Sequence, residues 1–124
     1  MSWYHGGMSK ATGTDAVYYS VRDVARASAF YKGILNVKET TWENEHGAEF
    51  VLGDGSAFGI GKLPEHRASG CVLFAVSDLG AARPLVEEFG GKLDGDVREF
   101  PGICVQQWAF DPDGNSFVLH QRMA

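Results

Sequence analysis

The strongest constraint on this chain is that it repeats itself. Residues 16–27, Ala-Val-Tyr-Tyr-Ser-Val-Arg-Asp-Val-Ala-Arg-Ala, lie over residues 71–82, Cys-Val-Leu-Phe-Ala-Val-Ser-Asp-Leu-Gly-Ala-Ala. Each is an apolar strand that ends in Val-x-Asp and runs into a helix, and Asp23 and Asp78 set the offset at 55. A second pair, Asp54-Gly-Ser-Ala-Phe-Gly-Ile60 and Asp113-Gly-Asn-Ser-Phe-Val-Leu119, aligns at an offset of 59, from Asp54 to Asp113. Two registers in the same order indicate a duplicated unit, with a short insertion in the second copy.

Each copy reads as β-α-β-β-β. In the first, a strand over 15–21 leads to Asp23 as helix N-cap. Val24, Ala27, Phe30, Tyr31 and Ile34 then fall at helical spacing and form one apolar stripe. Strands follow near 37–45, 48–52 and 57–62, with turns at Gly47 and at Asp54-Gly55, a strong hairpin signal. The second copy repeats the plan. It has a strand over 71–76 and a helix over 81–89 with Leu85, Val86 and Phe89 buried and Pro84 in its first turn. Gly90-Gly91 ends that helix, and strands follow near 92–99, 103–110 and 116–121. Residues 15–122 are expected to form a single domain, with module one over 15–63, module two over 70–122 and a Pro64-containing link. Residues 1–14 read as a loose polar tail.

Composition narrows the function classes. The chain has 124 residues, 44% of them hydrophobic, which suits one globular domain. Its formal net charge of -5 and lack of a Lys/Arg stripe argue against nucleic acid. No apolar run approaches the roughly 20 residues needed to span a bilayer, so no membrane partner is expected. The first residues lack a signal-peptide apolar region, which makes the cytoplasm the expected location. Cys71 and Cys104 both sit in apolar, strand-like runs and are expected to be buried free thiols.

Three stretches resemble the glyoxalase / bleomycin-resistance / extradiol-dioxygenase (vicinal oxygen chelate) superfamily. They are Val21-Arg-Asp-Val-Ala-Arg-Ala-Ser-Ala-Phe-Tyr31, Val76-Ser-Asp-Leu79 and Asp111-Pro-Asp-Gly-Asn115. The resemblance implies an α+β fold of two tandem βαβββ modules. Their strands would curl into cupped, incomplete antiparallel barrels with the helices on the outer face. In small relatives the modules pair across a homodimer. In metal-dependent relatives each cup holds four ligands, which map by the repeat onto Ala16, Gly59, Cys71 and Val118 of this chain. Alanine, glycine and valine offer no donor and one thiol cannot hold a divalent ion alone, so no metal and no cofactor are expected.

Strand alternation then divides the side chains. If position 16 and its equivalents face the cup, so do Tyr18, Ser20, Gly59, Gly61, Leu73, Ala75, Ser116, Val118 and His120. Val17, Tyr19, Phe58, Ile60, Val72, Phe74, Phe117 and Leu119 would face the helices. The candidate ligand-binding set is Tyr18, Ser20, Trp42, Gly59, Gly61, Cys71, Leu73, Trp108, Val118 and His120. Gly59 and Gly61 either clear space for a ligand or relieve crowding at a bend. Trp42 and Trp108 suit planar ligands, an interface or a core. His120 is the candidate acid/base, and it equally suits a strand-end histidine with a hydrogen bond. His5, His46 and His66 are expected in solvent.

Three functions follow. The first is a metal-independent homodimer that captures an aromatic or amphiphilic small molecule in its cup. The second is a lyase or isomerase using His120 with a carboxylate such as Glu49. The third is a metal-dependent glyoxalase- or dioxygenase-type enzyme, should the ligand register differ.

Overall fold

A computed structural model describes residues 11–123; most of the expected tail, residues 1–10, lies outside them. The elements are β1 (Val17–Val21), α1 (Val24–Leu35), β2 (Trp42–Asn44), β3 (Gly47–Val51), β4 (Ala57–Lys62), β5 (Val72–Ala75), α2 (Leu79–Glu88), β6 (Lys92–Phe100), β7 (Cys104–Phe110) and β8 (Ser116–Arg122). They form two four-stranded sheets, ordered β1-β4-β3-β2 and β5-β8-β7-β6, so the repeat in sequence is a repeat in topology. Neither sheet closes. Both are mixed rather than wholly antiparallel, because β1 pairs parallel with β4 and β5 parallel with β8. A helical crossover between the first and last strands of each module makes that direction possible.

Local chemistry fixes the helices. Asp23 accepts a hydrogen bond from the Arg26 amide at 3.1 Å, and Asp78 does the same for Ala81. These caps satisfy donors that the first turn leaves free. Asn36 ends α1 in the left-handed region at φ 53°, and Gly90 follows α2 at φ 103°. Because Asp78 caps α2, that helix begins at Leu79, earlier than its apolar pattern indicates, and Pro84 lies in the helix interior instead of the first turn. Its buried contacts are Leu79 and Val86. Leu85 is partly buried, while Phe89, expected in the core, is half exposed as the C-cap. The second strand is also shorter than expected: 37–41 is mostly unpaired, and only the Thr41 amide reaches the Glu49 carbonyl, at 2.8 Å.

The stripe on α1 is buried as its spacing predicts, against the inner sides of both sheets. Tyr31 meets Phe50 and Phe58 of module one and Phe74 and Phe117 of module two. Its hydroxyl donates to Asp111 Oδ2 at 2.6 Å, deep in the core. Asp111 also accepts from the amides of Asp113 and Asn115 and from Asn115 Nδ2, each at 2.9 Å. Asn115 Nδ2 reaches the Ser20 carbonyl at 2.8 Å. The Asp-Pro-Asp-Gly-Asn turn is therefore a polar knot that ties module two to β1 and α1. A buried carboxylate is tolerated here because four donors converge on it.

Tyr19 makes a second tie between modules. Its hydroxyl donates to the Ser116 carbonyl at 2.6 Å and accepts from the Val72 amide at 2.7 Å. Burial pushes this phenol up to about 12, with the Val72 bond acting in the opposite sense. Above the ordinary value of 10.0 the unfolded chain releases this proton while the folded chain keeps it, so stability falls as pH rises toward 12. Chemical denaturation between pH 9 and 12 should show that decline. It should be shallower in Tyr19→Phe, which at neutral pH costs about 1–3 kcal/mol by stranding the Val72 amide.

Candidate functional site

One face of each sheet carries the helices, and the other carries none. Tyr19, Val21, Ala48, Phe50, Phe58 and Ile60 fill the helix side of sheet one, and Phe74, Ala109, Phe117 and Leu119 that of sheet two. Val17, assigned to the helix side by parity, is 42% exposed because the strand begins there at the molecular edge. Period-two alternation then sends Tyr18, Gly59, Gly61, Glu49 and Trp42 to the open face of sheet one. It sends Leu73, Val118, Trp108, Gln106 and His120 to the open face of sheet two.

Register places these residues in rows. Tyr18 pairs with Gly59, Gly59 with Glu49, and Glu49 with Trp42, one straight row across sheet one. The matching row in sheet two is Leu73, Val118, Trp108 and Asp94. Next to them run Ser20, Gly61, Gly47 and Asn44 in sheet one, and Ala75, His120, Gln106 and Arg98 in sheet two. Gly61 and His120 are thus the same position of the two modules, as are Gly59 and Val118.

The glycines make a floor for aromatic rings. A Cβ on Gly59 would clash with the Tyr18 ring, 2.8 Å or less from three of its carbons, so Tyr18 lies over that glycine. The Tyr18 hydroxyl then reaches Glu49 Oε1 at 2.6 Å. A Cβ on Gly47 would come within 2.9 Å of Trp42 Cη2, so the indole covers the second glycine. Gly61 differs. A Cβ there would meet Tyr18 Cδ2 at 3.9 Å and the His46 carbonyl at 4.0 Å, ordinary contact distances, so a side chain can be accommodated at this position. Desolvation raises the Tyr18 phenol above its ordinary value, the bond to Glu49 and that carboxylate's charge raise it further, and Trp42 opposes them. Tyr18 is 44% exposed, Trp42 39% and Leu73 53%, so these surfaces are reachable from solvent.

Other site residues lie differently. Ser20 is buried under the link between modules, where its hydroxyl donates to the Arg67 carbonyl at 2.8 Å and meets His66 Nδ1 at 3.0 Å. His66 is not in solvent, as its loop position suggested; its other nitrogen lies 2.8 Å from the Asp113 carbonyl. Val118 is 1% exposed beneath its neighbours, Trp108 and His120 are half-buried, and Cys104 is buried. Cys71 is exposed, which corrects the expectation of two buried thiols: it precedes β5 and escapes the sheet. Partial desolvation still lifts its thiol above the ordinary value, which disfavours a thiolate nucleophile. His120 and Glu49 lie on different sheets, and the Glu49 carboxylate is already engaged by Tyr18. Sequence alternation could reveal the face of Glu49, but no local signal reveals its bond to a residue 31 positions away.

A concavity of about 640 Å³ follows the seam between the modules, lined by Val17, Ile34, Leu52, Phe58, Leu73 and Arg122 among others. Of the ten candidate residues only Leu73 borders it. Seam and open face therefore meet at β5. The seam has the character of a join, because the Tyr19 tie and the Phe58–Phe74 contact lie along it.

No family model matches the chain. No curated protein matches it either. Solved structures do. A glyoxalase/bleomycin resistance protein from Albidiferax ferrireducens T118 has a TM-score of 0.75 at 19% identity, over 89% of this chain and 98% of that one. The fosfomycin resistance protein FosX from Listeria monocytogenes gives a TM-score of 0.76 at 16% identity, over 92% and 96%. A glyoxalase / bleomycin resistance protein from Catenulispora acidiphila gives 0.69 at 24%, over 87% and 96%. The Listeria protein has also been solved with manganese(II) and sulfate. At the four positions that the resemblance equates with metal ligands, this chain carries Ala16, Gly59, Cys71 and Val118, of which only the cysteine has a donor side chain. Among the described residues no three His, Cys, Asp or Glu side chains are grouped to hold one. Nor is any described helix long and apolar enough to cross a membrane. The resemblance read from Val21–Tyr31, Val76–Leu79 and Asp111–Asn115 thus meets its counterpart in three dimensions, and the chain has the fold of the glyoxalase/bleomycin-resistance proteins.

Proposed function

We propose that this chain is a metal-independent small-molecule-binding protein of the cytoplasm that holds an aromatic or amphiphilic ligand against its open sheet faces. One observation carries the reading. The helix-free face of sheet one presents two accessible aromatic rings beside Gly61, where no side chain covers the sheet and one could be accommodated, without metal donors at the positions that the resemblance equates with metal ligands. Aromatic walls with few polar anchors are what small-molecule sites generally use. The unit doing this is a single domain over 15–122 that acts as a homodimer. Each face is open in one chain, and the exposed apolar residues Leu73, Val97, Phe100 and Ile103 lie on module two. Large exposed side chains together with unpaired sheet edges favour a partner, and a second copy would complete each cup.

A screen of aromatic and amphiphilic compounds by thermal unfolding tests the proposal. A bound ligand at a hundredfold excess over its Kd should stabilise the dimer by about 2.7 kcal/mol, equally with and without chelator. About one metal per chain by elemental analysis, removed by chelator with loss of stability, would overturn metal independence. A monomer mass at micromolar concentration in sedimentation equilibrium would overturn the shared cup.

A further inference from the structure

The open face of sheet one has a distinctive charge pattern. Its positions are Tyr18, Ser20, Trp42, Asn44, Gly47, Glu49, Val51, Ala57, Gly59 and Gly61, and Glu49 is the only charged residue among them. Glu43, the acidic residue of the neighbouring β2, points to the helix side, where it accepts from Ser28 Oγ at 2.9 Å and meets Lys32 Nζ at 3.1 Å. Lys62, the one cation in these strands, alternates to the helix side as well. Among the described residues, Glu49 is thus a carboxylate with no cation at the strand positions of its own face, fixed by the Tyr18 hydroxyl at 2.6 Å and placed opposite Trp42.

We propose that Trp42, Tyr18 and Glu49 form a cation-recognising box, and that the ligand of this face carries an organic ammonium group. The inference deepens the binding reading above and rests on it. An exposed indole and phenol ring attract a desolvated cation through their negative faces, and a weakly hydrated quaternary ammonium benefits most. Glu49 adds the opposite charge, and its bond to Tyr18 fixes carboxylate and ring together, so less ordering is needed on binding. Gly61 leaves room at the floor for the ammonium substituents. The chain's net charge of -5 adds a weak attraction of the same sign.

Three probes separate this inference from the binding reading: choline, its neutral isostere 3,3-dimethylbutan-1-ol, and the neutral aromatic 2-naphthol. Titration of the full chain is followed by NMR shifts of the Trp42 indole N–H and the Glu49 and Gly61 amides. Choline should bind at least about tenfold more tightly than the isostere, and added salt should weaken it. Glu49→Gln, whose amide keeps an acceptor for Tyr18, should lower choline affinity about tenfold and leave 2-naphthol unaffected. Equal affinities for choline and its isostere, with 2-naphthol still shifting the same signals, overturn the cation box and leave the binding reading standing. If no probe moves these signals at millimolar concentration, both fall together.

Discussion

Replacing Asp111 by alanine should destabilise the fold by about 3–5 kcal/mol, close to the entire stability of a small domain. The size follows from the number of groups stranded. Tyr31 Oη, Asn115 Nδ2 and the amides of Asp113 and Asn115 all donate to this one buried carboxylate. Each donor left without an acceptor costs on the order of 1–3 kcal/mol, moderated by water entering the gap. Tyr31→Phe removes one of these bonds and should cost about 1.5–3 kcal/mol. Urea titration checks both: the midpoint should fall in that order with an unchanged slope. Since the knot joins residues 20, 31 and 111–115, its loss should also let the modules part, and exchange of the Val72 amide should accelerate most. An Asp111→Ala protein as stable as the parent would mean that the knot is incidental.

Gly61→Leu should abolish ligand stabilisation while leaving the unliganded fold within about 0.5 kcal/mol of the parent. A Cβ there sits at ordinary contact distance, 3.9 Å from Tyr18 Cδ2 and 4.0 Å from the His46 carbonyl, so the side chain is accommodated without a clash and fills the volume a ligand would use. Leucine also suits a strand better than glycine does. Gly59→Leu is the instructive contrast. Its Cβ would strike the Tyr18 ring, so it must expel Tyr18 from Glu49 before it occupies any space. That variant should lose both folding stability and binding, whereas Gly61→Leu loses binding alone. At a ligand concentration of a hundred Kd, the parent's extra stability of about 2.7 kcal/mol should vanish in Gly61→Leu.

Much of this was legible in the sequence. The repeat gave equivalent strands, Asp23 and Asp78 marked the helix starts, and alternation sorted Phe58, Ile60, Phe117 and Leu119 from Tyr18, Gly61 and His120. All of these are local signals with a period of 2 or 3.6. What escaped is what periodicity does not encode. The start of α2 was read late because Leu79-Gly80-Ala81 is a weak apolar stripe, although the Asp78 cap overrides it. Residues 37–41 look like a strand, yet of these only Thr41 bonds to β3, through its amide to the Glu49 carbonyl. Parity assigned Ser20 to a face but could not show that the link with His66 and Arg67 lies over it. The bond between Tyr31 and Asp111, 80 residues apart, has no local signature, and neither does that between Tyr18 and Glu49.

The central claim is that ligand binds on the helix-free faces, and amide hydrogen exchange with and without bound ligand tests it most directly. Predicted protection falls on β3, β4, β7 and β8, strongest around Glu49, Gly61, Trp108 and His120, with the amides of α1 and α2 unchanged. Protection confined to the seam between modules, around Val17, Leu52 and Phe74, or to the helices, would contradict it.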